Sequence, residues 1–240
     1  MKRVSKYGSS SSKRSRFTRG IRKRTYKSRK RYARRKNVIP RTITSTGVGF
    51  PKKMMMTHKY QETISLSIPI GVVMQKYFIS CNSMYDPNAT STGHQPLYFD
   101  QMTALYDHYV VIGSRCTVTF PPPNDQNLNV GVYIDDDASN SLTSSDTVAE
   151  QTQATRRLIS PNATMPIKIT KKWSAKKFFG GSILSNTDLQ GTVSANPVEQ
   201  SFFMIYAQSQ ATPAAGYTYN VIVSVEYIAI WKELKEVAGS

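Results

Sequence analysis

The residues best suited to acid–base, nucleophilic or metal chemistry are few in this chain, and they do not converge. The three histidines, His58, His94 and His108, stand at spacings that fit neither a metal nor a catalytic triad, so they read as structural. Asp135, Asp136 and Asp137 offer oxygen ligands of the kind Ca²⁺ prefers, but no further ligands can be named, and "DDDASNS" reads as a solvated loop at a strand end. Cys81 and Cys116 lack any neighbour that would lower a thiol pKa, and read as small buried residues. No phosphate-cradling glycine loop, nucleophile elbow or H-E-x-x-H pattern occurs. The expectation is no catalytic residue, no metal, no cofactor and no enzyme.

Basic residues are another matter. Residues 1–36 carry 17 Lys and Arg and no carboxylate side chain; the first is Glu62. The whole chain has 32 Lys/Arg against 15 Asp/Glu, so residues 37–240 hold 15 of each sign and the net +17 belongs to the first 36 residues. Such a run repels itself and has too little apolar surface to bury, which predicts a disordered arm until an anion neutralises it. After the spacer "GSSSS", its candidate nucleic-acid contacts are Lys13, Arg14, Arg16, Arg19, Arg22, Lys23, Arg24, Lys27, Arg29, Lys30, Arg31, Arg34, Arg35 and Lys36. Tyr26 and Tyr32 interleave with them and can stack on bases. Arginine is the commoner cation here and grips phosphate in bidentate fashion. No zinc spacing or helix-turn-helix accompanies the arm, so binding should ignore sequence and weaken steeply with salt. A second basic group, "KKWSAKKFF", offers Lys171, Lys172, Trp173, Lys176 and Lys177, read equally well as nucleic-acid contacts on an inner wall or as a solvated strand rim.

The elements that would hold these groups are strands. "YQETISLSIP" alternates strictly, with Ile64, Leu66 and Ile68 on one face and Thr63, Ser65 and Ser67 on the other, and Pro69 ends it. Seven more candidates follow, at residues 73–82, 109–120, 129–135, 155–160, 166–173, 200–209 and 217–231. "QSFFMIYAQS" is apolar on both faces, as a central or interface strand would be. Residues 136–154 read as a long surface loop, and 100–108 as the one short helix. Eight half-apolar strands with unequal connections predict an all-β, eight-stranded antiparallel jelly-roll sandwich. The domain plan is a basic arm at 1–36, a linker at 37–58 that becomes ordered near Met54, one jelly roll at 59–235 and a tail at 236–240. No secretory signal is expected, and no apolar run is long enough to cross a bilayer.

An arginine-rich arm, a linker and about eight strands resemble the coat proteins of circoviruses and related viruses with small circular single-stranded DNA genomes. The block "GHQPLYFDQMTALYDHYVVIGSRCTVTF", residues 93–120, is similar to the loop, short helix and long strand of those coats. His94-Gln95-Pro96, Phe99-Asp100-Gln101, Tyr106 and Tyr109 stand in corresponding places, whereas residues 121–240 match only in strand layout. The resemblance implies a jelly roll assembling into a T=1 icosahedral shell with its arms inside on the genome. It also implies an arm that doubles as a nuclear-localisation signal. The partners would then be viral single-stranded DNA, other copies of the chain, host nuclear import receptors and an unidentified cell-surface receptor, with location in the virion and, during assembly, the nucleus. The arm's charge on about 60 copies comes to about 1,000, enough to neutralise much of a small genome. Extended, the arm could reach on the order of 120 Å. An RNA-packaging coat, or a non-enzymatic cellular nucleic-acid-binding protein of ribosomal or chromatin type, is the alternative.

Overall fold

A computed structural model describes residues 49–236 of the chain. The arm at 1–36, the first part of the linker and the last four residues lie outside the described residues, and so do the arm contacts named above. Eight strands carry the fold: β1 Lys53–Ile68, β2 Gln75–Ser80, β3 Tyr106–Phe120, β4 Leu128–Asp135, β5 Thr155–Ile159, β6 Ile167–Ser174, β8 Phe202–Ser209 and β9 Tyr217–Leu234. A two-residue strand, β7 Gly191–Thr192, pairs with β3. Short helices α1 Phe99–Thr103, α2 Ser145–Ala149 and α3 Ala175–Phe178 sit in the connections.

The strands form two antiparallel sheets in the orders β1-β9-β3-β6 and β2-β8-β4-β5. Four pairs nest within one another in sequence: β1 with β9, β2 with β8, β3 with β6 and β4 with β5. A long hairpin of four nested pairs, rolled so that β9 also meets β3 and β8 also meets β4, is a jelly roll. The expected fold class is therefore the observed one. Between the sheets lie Ile64, Leu66, Val118, Phe120, Val130, Val132, Phe203, Ile205, Val221 and Val223, all buried. Full burial of each such side chain stabilises the fold by roughly 1.5–3 kcal/mol before entropy is charged against it.

Three local expectations change, and a fourth is resolved. β1 starts at Lys53 rather than Tyr60, so residues 53–58 of the linker are strand and pair with β9 as far as Lys232. Met54-Met55-Met56 is apolar in both phases and hides the alternation, which the burial of His58 and Tyr60 reveals. The helix covers Phe99–Thr103, not 100–108, because β3 takes over at Tyr106 and its buried Tyr106 and Tyr109; His108 lies in that strand. The segment at 136–154 is not only loop: α2 forms there, with the Ser144 hydroxyl accepting from Asp146 N–H at its N-cap. Finally, β8 is buried throughout for two reasons, neither of which requires another copy of the chain. It is an inner strand, and the outward side of its sheet is covered by the chain's own 136–154 segment. Val148, Leu142 and Ala154 from that segment pack with Met204, Tyr206, Phe78 and Tyr133. Tyr206 lies opposite Gly131 across the sheet, where a Cβ would collide with the tyrosine ring and the Thr155 carbonyl.

Candidate polyanion-binding surface

The residues that look chemically able in sequence turn out to hold the fold. His58 is buried; its Nδ1–H donates to the Leu97 carbonyl at 3.1 Å and its Nε2 accepts from Trp231 Nε1–H at 3.0 Å. Accepting from Trp231 requires the neutral ring, and burial holds its pKa below the usual histidine value. His94 stacks on Tyr60 with ring centroids 4.7 Å apart. The Nδ1 of His108 stands 2.8 Å from Glu233 Oε2. Cys81 and Cys116 are buried and unpaired by disulfide, and burial pushes both thiols upward, away from thiolate chemistry.

Two of the three aspartates bond within the covering segment. Asp135 accepts from Asn140 Nδ2–H at 2.6 Å, and Asp137 accepts from the Ser139 N–H at 2.7 Å and its hydroxyl at 2.8 Å. These Ser139 bonds hold the Asp137 carboxyl below the usual range. Lys76 Nζ–H donates to the Asn140 carbonyl at 2.7 Å. Among the described residues no group of three His, Cys, Asp or Glu could hold a metal, and no helix is long and apolar enough to cross a membrane.

Cations collect instead on the outward face of the sheet β1-β9-β3-β6. Strand alternation sends the core residues one way and leaves Lys53, Lys59, Arg115, Lys168 and Lys172 exposed. One cross-strand row reads Lys59, Glu226, Arg115, Lys172, and only its Arg115 and Glu226 are joined as an ion pair. The next row is polar, with Gln61, Ser224, Thr117 and Thr170, and the one beyond it holds Thr63, Thr119 and Lys168 around an exposed Ile222, while Ile228 and Met55 are exposed on the other side. Cationic and rich in hydroxyls, this face has the chemistry that a phosphate backbone would meet.

β6 and α3 carry the second basic group to the edge of that face. Lys172, Lys176 and Lys177 are exposed, whereas Lys171 is half-buried in the inward phase and desolvation lowers its pKa. Trp173 is the buried member of this group. It is 4% exposed, with Phe178 and Phe179 packed at centroid distances of 6.3 and 6.0 Å, so its ring faces core rather than a base. Lys59, Arg115 and Lys168 were missed by sequence reasoning because single charges on separate strands become neighbours only through pairing; their alternation with core residues was the available signal.

No protein-family model and no curated protein matches the sequence. Solved structures similar to this chain include that of Desmodium yellow mottle tymovirus, at 15% identity and a TM-score of 0.42, covering 83% of this chain and 98% of that one. The 60-mer BFDV capsid protein is similar at 8% identity and a TM-score of 0.44, covering 80% and 100%. Mud crab tombus-like virus is similar at 14% identity and a TM-score of 0.41, covering 75% and 92%. The jelly roll is established by the strand order of this chain, not by these likenesses.

Proposed function

We propose that this chain is a viral coat protein whose jelly roll builds a small icosahedral T=1 shell and whose basic arm packages a circular single-stranded DNA genome. One observation carries the reading: the entire +17 lies in residues 1–36, ahead of a charge-balanced body. That body is a jelly roll, and the similarity of residues 93–120 to circovirus coats points the same way. A neutral body leaves copies free to pack without mutual repulsion, while the arms repel one another until a polyanion joins them. Its partners are then the genome, further copies of the chain and nuclear import receptors, and its places are the virion and the nucleus of the infected cell.

Electron microscopy of the purified full-length protein tests this, with uniform small spheres expected. Deleting residues 1–36 should leave a folded body able to form contacts with its copies but unable to package a genome. Particles of the truncated chain with full DNA content would overturn the role of the arm; a discrete small complex in place of a shell would favour a cellular nucleic-acid-binding protein. Digestion of the extracted cargo with DNase or RNase separates a DNA coat from an RNA coat.

A further inference from the structure

Between the β2–α1 connection and the β7–β8 connection, Tyr85, Asp86, Ser91, His94, Gln95 and Asn196 line a hollow of about 540 Å³. We propose that this hollow binds the hydroxyl groups of an uncharged hexopyranoside. That the sugar belongs to a glycan on a host cell rests on the coat function proposed above; the site itself does not.

The chemistry of the lining selects the ligand. No Lys or Arg is among the lining residues, so a phosphate backbone finds no cation here. The Asp86 carboxylate makes no hydrogen bond and no ion pair among the described residues, which leaves a strong acceptor on the wall. Asn196 Oδ1 accepts from the Ser83 hydroxyl at 2.5 Å, so the Nδ2 hydrogens remain as donors. Ser91 and Gln95 add a hydroxyl and an amide, each able to donate and to accept. Donors and acceptors side by side suit ligand groups that themselves do both, as hydroxyls do and phosphodiesters do not. A sugar carries such hydroxyls on adjacent carbons and an apolar face of C–H groups, for which the Tyr85 ring supplies a surface. The volume lies within the roughly 300–1,000 Å³ of small-ligand clefts.

The walls are fixed before any ligand arrives. Under Tyr85 and Asp86, the Ser83 N–H donates to the Ser80 hydroxyl at 2.9 Å, and the Tyr85 N–H donates to the buried Tyr109 hydroxyl at 3.1 Å. Beside Ser91, Asn88 Oδ1 accepts from the Thr90 N–H at 3.0 Å and its hydroxyl at 2.8 Å, while Asn88 Nδ2–H donates to the Tyr77 hydroxyl at 2.6 Å. At Gly93 the backbone runs so near the core that a Cβ would stand 2.6 Å from the Tyr60 hydroxyl, and His94 follows with its ring on Tyr60. Ser91 holds φ at 57°, a left-handed conformation that costs a residue with a side chain, and such strain gathers at binding sites. Rigid polar walls lose little freedom when a ligand docks, which a hydroxyl-rich ligand already solvated by water requires.

Saturation-transfer NMR on the full-length protein tests this, with the methyl glycosides of mannose, galactose, glucose and N-acetylglucosamine as probes. At least one glycoside should receive saturation from the protein and reach a plateau with concentration. Asp86→Asn keeps the shape and removes the charge of a side chain that has no partner to lose, and should weaken that binding about tenfold. Gln95→Ala should weaken it by a smaller factor and leave the unfolding midpoint unchanged. No transfer to any of the four glycosides, or transfer untouched by both substitutions, would overturn the assignment. Binding of Nα-acetylarginine amide through Asp86 with no glycoside bound would overturn it too, because the hollow would then seat a basic protein segment. Particles seen by electron microscopy without glycoside binding remove the site and keep the coat function; glycoside binding without particles keeps the site and removes the coat function.

Discussion

The two sheets of this jelly roll obey the same alternation and end with opposite outer faces. The sheet β2-β8-β4-β5 has Met204, Tyr206 and Phe78 on its outside, and the 136–154 segment closes over them. The sheet β1-β9-β3-β6 has Lys59, Gln61, Thr63, Arg115, Lys168 and Lys172 on its outside, and these residues are left to solvent. An apolar outer face demands a cover, and here the chain supplies one, anchored by Asp135, Asn140, Lys76 and the bond from Ser145 N–H to Gln208 at 2.8 Å. A polar outer face needs none and stays free to meet a charged partner. The difference separates a covered side from an open one.

Substitutions should split accordingly. Met204→Ala, which empties volume under the cover, should cost about 2–5 kcal/mol in denaturant unfolding. A neutral outcome would mean that the segment does not pack there. Acid should come next, through the end of the sandwich where β1 meets β9. His58 is neutral and buried with its folded pKa lowered, so the unfolded chain takes up a proton first, and stability present above the unfolded value near 6.5 is lost as pH falls below it. His58→Gln, whose amide can accept from Trp231 and donate to Leu97, should flatten the dependence of the unfolding midpoint between about pH 7 and 5.

Effects on the open face should be smaller in stability and larger in binding. Lys59→Ala with Lys168→Ala should change unfolding by no more than about 0.5 kcal/mol. The salt dependence of single-stranded DNA binding should lose about 0.7 in slope for each phosphate contact removed. An unchanged slope would make that face a bystander. Arg115→Ala should likewise change stability little, since an exposed ion pair such as Arg115 with Glu226 contributes about 0–1 kcal/mol.

The block at 93–120 shows what a sequence resemblance reports. Phe99 packs on Tyr109 and Trp231, Tyr106 donates to the Pro51 carbonyl at 2.8 Å, and the Tyr109 hydroxyl accepts from the Met84 and Tyr85 N–H groups at 3.1 Å. These residues tie a loop, a helical turn and a strand together, so the block carries packing that marks the fold. The eight long strands stand in the sequence because alternation is local, and strands that bury one face must alternate. β1 was shortened in the reading by three consecutive methionines, and the helix was lengthened by Leu105 and Tyr106, which are apolar at helical spacing but belong to the strand entry.

Residue order alone determined the all-β character, the places of the eight long strands and the confinement of net charge to one terminus, because alternation and formal charge are properties of neighbouring positions. Pairing decided the rest. That Lys59 joins Arg115 and Lys172, that β8 hides beneath the chain's own segment, and that Ser83 bonds to Asn196, all depend on residues far apart in sequence. Such contacts exist only once the long hairpin has rolled and brought them within hydrogen-bonding reach.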